Sequence, residues 1–200
     1  MEHFMHRILY TAREALIAFF LLLPIFFHLN KHRFSSTRKT VLYLLFATYL
    51  TGVYAVVGLP DIAYYRFSPN INLEPFRYMF SDLGNTVLNV ILFLPMGFFL
   101  PILWKDFSSL WKTVLVGFLT SLTIELLQIF TYRATDVNDL MTNTLGAFVG
   151  YFLGIFVEKF LHPIDPEERR FDIPLVFGIS FFTMFFIHPF FSSVIYGIFR

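Results

Sequence analysis

Long apolar runs alternate with short polar connections along nearly the whole chain. Six stretches approach the roughly 20 apolar residues that a bilayer-spanning helix needs. They are Ile8–Leu29, Thr40–Pro60, Asn85–Trp104, Thr113–Phe130, Leu140–Val157 and Ile173–Phe191. Arg13 and Glu14 interrupt the first near its start, so five spans with an interfacial first helix is the alternative. No small-residue cleavage site closes that first stretch, which runs through Pro24 into a basic segment. A retained helix is therefore expected in place of a removed signal peptide. The connection Asp61–Gly84 differs from the others, mixing Arg66, Glu74, Arg77 and Asp82 with aromatic residues, and predicts an interfacial turn or helix. The expected fold is all-α: a polytopic transmembrane helix bundle, one membrane domain over residues 1–200, with no repeat and no soluble domain.

Composition supports this picture. Of 200 residues, 56% are hydrophobic, 20% aromatic and 14% charged, against roughly 25% charged in an ordinary soluble domain. Twenty-nine Phe would be hard to bury in so small a soluble core, whereas lipid accepts them. The net charge of +1 excludes a globally basic nucleic-acid binder. With no cysteine, disulfides, a thiol nucleophile and cysteine metal sites are all excluded. Lys/Arg asymmetry predicts orientation: with the N-terminus outside, inner loops hold nine such residues against six outside. Both termini are therefore expected to be extracytoplasmic.

Within the spans, charge is nearly absent. Spans two, three, five and six carry no Asp, Glu, Lys or Arg between their flanks, and span four carries only Glu125. A charged side chain at mid-membrane costs about 2.5–3.5 kcal/mol on insertion scales, so an intramembrane carboxylate is a functional candidate. The alternative is a Glu that reaches the interface or pairs with Arg133 for structure alone. Gln128, three residues on, shares its helix face. Beyond the short connection Thr131–Thr135, Asp136 and Asp139 precede an apolar helix, where capping explains one carboxylate. It does not explain the sequel: Asp136, Asp139, Asn143, Gly146 and Gly150 follow at spacings of three, four, three and four. That is a single helical stripe, and its polar half is expected to face the bundle. Gly146, Gly150 and Gly154 form a small-residue pattern that packs transmembrane backbones closely. Span three adds Asn85 and Asn89 near the same end, then Pro95 and Gly97. Pro95 cannot donate to the Ile91 carbonyl and is expected to kink the helix, either opening a cavity or merely packing. The preceding loop contributes Asn72.

Glu125, Asp136 and Asp139 are hard oxygen donors suited to Mg²⁺ or Ca²⁺, with Asn89, Asn143 and Gln128 as neutral partners. They equally suit a salt-bridged network around Arg133, a residue also fitted to phosphate, with Arg66 and Arg77 as possible additions from the loop. His3/His6 and His28/His32 lie in flanks, so zinc is not expected. Ser121 shares the face of Glu125, but no base is near it in sequence.

These residues resemble the VanZ-like family of bacterial membrane proteins. The resemblance rests on Asn72-Leu73-x-Pro75-Phe76, Asn89-x-x-Leu92-Phe93-x-Pro95-x-Gly97-Phe98, Glu125-x-x-Gln128 and Arg133-x-x-Asp136-x-x-Asp139-x-x-x-Asn143-x-x-Gly146. Together they span about 72–150. The family is similar to the accessory protein associated with low-level resistance to teicoplanin-type glycopeptide antibiotics. It implies the bacterial plasma membrane and a cell-envelope role, with membrane lipids, a lipid-linked wall precursor or a lipoglycopeptide as partner. Asn72, Asn89, Glu125, Gln128, Arg133, Asp136, Asp139 and Asn143 are then the candidate ligand-binding set, and Pro95, Gly97, Gly146, Gly150 and Gly154 its scaffold. The alternatives are an intramembrane, metal-assisted hydrolase or transferase, with Glu125, Asp136 and Asp139 as catalytic or metal-holding groups, and a structural partner in an envelope complex. A transporter is disfavoured, since no polar path continues across the bundle.

Overall fold

A computed structural model describes residues 2–76, 79, 82–160 and 171–198. Arg77, Arg169, Arg170 and Arg200 lie outside the described residues, as do the side chains of His3, His6 and Arg7. Among the described residues, six helices are long and apolar enough to cross a membrane: Thr11–Phe34, Thr37–Val57, Leu83–Leu103, Leu110–Gln128, Val137–Glu158 and Asp172–Ile195. The first qualifies despite Arg13 and Glu14, as the six-span reading expects. The chain's internal contacts gather into two units, residues 66–168 and residues 1–65 with 169–200.

In the unit of residues 1–65 and 169–200, helix α1 (Glu2–Leu29) continues into a π-helical turn, Asn30–Phe34. Ser35, with φ 52°, reverses the chain, and the Ser36 hydroxyl caps α2 (Thr37–Val57). The buried stripe of α1 is Glu14, Ala18, Leu22 and Phe26, each four residues apart, so an acid heads an otherwise apolar seam. The last span comprises α6 (Asp172–Phe182), a π-helical segment Thr183–Ile187 and α7 (His188–Ile198). Its stripe of Asp172, Val176, Ser180, Met184 and His188 is likewise buried and carries an ionisable residue at each end. Asp172 lies 3.0 Å from both Arg33 Nε and Lys39 Nζ, and His188 Nε2 lies 2.9 Å from Glu14 Oε2. Pro189 offers no N–H to the Phe185 carbonyl, and the Ile62 N–H donates to it instead at 3.1 Å.

The unit of residues 66–168 is built on α3 (Leu83–Leu103), α4 (Leu110–Gln128) and α5 (Val137–Glu158). Helix α3 runs unbroken through Pro95 and Pro101. Glycine brings α5 onto it. A Cβ at Gly146, Gly150 or Gly154 would stand 2.3, 2.0 or 2.5 Å from the carbonyl oxygens of Val90, Leu94 and Phe98. Gly97 answers from α3, where a Cβ would lie 1.9 Å from the Ala147 carbonyl oxygen. Gly117 of α4 meets Ala147 from the other side, at 2.4 Å from its Cβ. Any side chain at these positions would force two backbones apart.

The connection before α3 contains no helix among its described residues. It holds the expected turn, at Pro75 and Phe76, and a two-residue strand, β1 (Ile71–Asn72), paired in parallel with β2 (Thr135–Asp136). That pairing decides where the site forms.

Candidate functional site

The site begins with the start of α5. Asp136 is its N-cap, accepting from the Asn138 N–H at 2.8 Å, and so satisfies one of the amides that a helix leaves open. Asp136 is also opposite Asn72 in the β1–β2 register, and the Asn72 amide donates to its second oxygen at 3.1 Å. Asn138 then clamps the loop. Its Oδ1 accepts from the Phe76 N–H at 2.6 Å, while its amide nitrogen donates to the Glu74 carbonyl at 3.3 Å. Phe76 holds φ 64°, a left-handed conformation that costs a non-glycine residue energy and is stabilised here by that bond.

Glu125 is buried one turn from the end of α4, at 4% exposure. Its Oε2 accepts from the Asp136 N–H at 2.8 Å, and its carbonyl accepts from the Thr135 hydroxyl at 2.9 Å. The intramembrane carboxylate therefore holds the β2–α5 junction against α4. Ser121, Glu125 and Gln128, all buried, form one face of α4. Asn143 of α5 meets that face, donating to Ser121 Oγ at 2.9 Å, while its own buried Oδ1 has no hydrogen-bond partner among the described residues. Asp139, a turn earlier, faces α3 and accepts from the Asn89 amide at 2.7 Å. The stripe thus divides its partners: Asp139 and the glycines meet α3, and Asn143 meets α4.

A cavity of about 90 Å³ opens where α3 and α5 begin. Met79, Asp82, Asn85, Thr86, Asp136, Asn138, Asp139 and Thr142 line it. Three of these described lining residues are carboxylates and none is a cation. The cavity is at the N-terminal end of α3 and not at Pro95, whose role here is within a continuous helix. Glu125 and Asn72 stand behind the lining, each bonded to Asp136, whereas Gln128 and Asn143 are outside it, Gln128 buried on α4 and Asn143 bonded to Ser121.

Two sequence expectations meet a different geometry. Arg133 does not bridge the carboxylates: its side chain is exposed and makes no ion pair among the described residues. Arg66 is committed to Tyr132, donating to the hydroxyl at 2.8 Å with its guanidinium 5.5 Å from the ring centre. Glu125, Asp136 and Asp139 do not converge as ligands either. Among the described residues no group of three or more His, Asp or Glu side chains is placed to hold a metal ion. The reason is visible in their bonds, since each carboxylate accepts from a different amide on a different element.

Sequence reasoning missed Asn138, Thr135, Thr86 and Thr142, and treated Asp82 as a loop charge only. Asn138 carried a faint signal, an amide in the first turn directly after an acidic cap. Its partners lie more than 60 residues away in the chain, beyond any local pattern.

The profile of the VanZ/LLP1 family matches residues 16–158. The chain is 32% identical to "Protein VanZ" of Enterococcus faecium over 121 residues, covering 60% of this chain and 71% of that protein. No solved structure matches it. The match extends well upstream of residues 72–150, into α1 and α2.

Proposed function

This chain belongs to the VanZ/LLP1 family, and from that premise we propose that it binds the polar head of an amphiphilic envelope ligand in the cavity between α3 and α5. The site faces outward from the bacterial plasma membrane, with both termini extracytoplasmic, and contributes to low-level glycopeptide or lipoglycopeptide resistance. The observation that carries the reading is the cavity itself. Among the described residues that line it, Asp82, Asp136 and Asp139 are acidic and none is a cation, so this lining favours a head rich in hydrogen-bond donors, such as an ammonium or sugar hydroxyls. Leu73, Phe76 and Tyr132 are more than half exposed on the adjoining loops, and offer apolar surface to a lipid tail. A lipid-linked wall precursor or a lipoglycopeptide combines the two features. A phosphate on the same ligand would meet the exposed Arg133 outside the acidic lining.

The test compares Glu125→Gln, Arg133→Ala and Asp139→Asn with wild type, reading lipoglycopeptide sensitivity and the lipid that co-purifies. Reduced retention of one lipid species, with altered sensitivity, is expected. Unchanged lipid and sensitivity in all three would sink the proposal. Loss of expression in all three would favour a structural partner in an envelope complex. A metal-assisted transferase draws less support, because Glu125 is not part of the lining that Asp136 and Asp139 share.

A further inference from the structure

We propose that the turn joining α1 to α2 is a binding site for an anionic phospholipid, separate from the cavity and independent of the reading given for it. The turn joins two consecutive spans, Thr11–Phe34 and Thr37–Val57, and therefore lies at the boundary between hydrocarbon and water. Residues 28–43 contain Lys31, Arg33, Arg38 and Lys39 and no acid. Among the described residues the one carboxylate that reaches them is Asp172.

Asp172 is fully buried and both its oxygens are engaged. One accepts from Arg33 Nε at 3.0 Å; the other lies 3.0 Å from Lys39 Nζ and accepts from the Tyr43 hydroxyl at 3.4 Å. Lys39 is held further by the Phe34 and Tyr43 rings, 5.8 and 5.6 Å from its nitrogen. This arrangement fixes the guanidinium of Arg33 through Nε alone. Its two terminal amino groups carry no bond to the chain among the described residues, and the side chain remains 29% exposed. A planar pair of N–H donors suits a phosphodiester. Lys31 and Arg38, both exposed and without an acidic partner among the described residues, stand on either side in sequence.

The flanking faces decide for a lipid over a soluble phosphate. Leu23 and Phe27 of α1, and Val41 and Leu45 of α2, are exposed pairs four residues apart that run from the turn along each helix. Acyl chains beneath a phosphate bound at Arg33 would lie on them. Basic residues beside a span attract anionic lipid with an affinity gain of roughly fivefold per charge.

The experiment is native mass spectrometry of the purified full chain in detergent with added phosphatidylglycerol or phosphatidylcholine. Wild type is expected to retain phosphatidylglycerol preferentially. Arg33→Gln and the double change Lys31→Gln/Arg38→Gln should each lower that retention roughly fivefold or more, leaving phosphatidylcholine unchanged. The double variant keeps both ion pairs of Asp172, so its result stands even if Arg33→Gln disturbs folding. Equal retention by the double variant and wild type would overturn the site. So would a loss seen with Arg133→Ala and not with the double variant, which would place the lipid in the other unit. Displacement of the lipid by millimolar glycerophosphate would overturn the choice of a lipid.

Discussion

The two units handle buried and half-buried charge in opposite ways. In residues 1–65 with 169–200, each buried acid meets a basic residue: Asp172 meets Arg33 and Lys39, and Glu14 meets His188. In residues 66–168, Glu125, Asp136 and Asp139 take their hydrogen bonds from backbone N–H groups and asparagine amides. An acid matched to cations is neutralised into the fold and becomes an anchor. One held by neutral donors has no cation paired with it among the described residues, and its remaining lone pairs stay available to a ligand. The helix contacts differ in the same sense. Tyr43, Phe46, Phe26 and Leu22 fill the first unit with bulk, whereas glycine brings α3, α4 and α5 to backbone contact in the second.

The sharpest way to break this comparison is to remove one acid from each unit. Asp172→Asn leaves Lys39 buried beside a neutral amide, and breaking a buried ion pair in this way costs about 3–5 kcal/mol. Asp139→Asn alters one hydrogen bond to a neutral partner and should cost about 1 kcal/mol. Thermal unfolding in detergent measures both, and equal losses would erase the distinction between anchor and site.

Glycine supplies the next contrast. Gly150→Ala sets a methyl about where the Leu94 carbonyl already stands, 2.0 Å from its oxygen, and should cost about 3 kcal/mol as the helices separate. Gly178→Ala, in the other unit, meets nothing within 4 Å and should gain up to about 1 kcal/mol from reduced chain entropy. A similar loss at both positions would show that close helix approach is not special to α3, α4 and α5.

How much of this was legible depends on whether the signal was local. The stripe from Asp136 to Gly150 was readable because helical periodicity places it on one face without knowledge of the neighbours. Glu125 stood out because it is alone in its span. Asp172 carries no local signal, since it stands just before the sixth span, and Glu14 reads only as an interruption of the first; their partners are far along the chain, and Arg33 lies 139 residues from Asp172. The loop before α3 contains the turn that its mixed composition predicts, at Pro75 and Phe76, and a strand that it does not. Its short strand leaves no period to detect, and it exists because β2 supplies a partner. Asn138 was invisible for the same reason. Asn138→Ala would release the Phe76 N–H and should cost about 1–2 kcal/mol. Hydrogen exchange should locate that loss at residues 74–76, and uniform exchange across α5 would show that Asn138 supports the helix instead of the loop.

The smallest expected effect tests the comparison most closely. Glu125→Gln retains an oxygen able to accept from the Asp136 N–H, removes the charge and changes volume little. If Glu125 were an anchor like Asp172, its loss of charge would unbalance a buried partner. No cation touches it among the described residues, so unfolding should shift by less than about 1 kcal/mol. A buried carboxylate that the fold does not require is one that another function retains. A shift as large as that of Asp172→Asn would instead make Glu125 part of the scaffold, and would move the search for the ligand to Asp82, Asp136 and Asp139 alone.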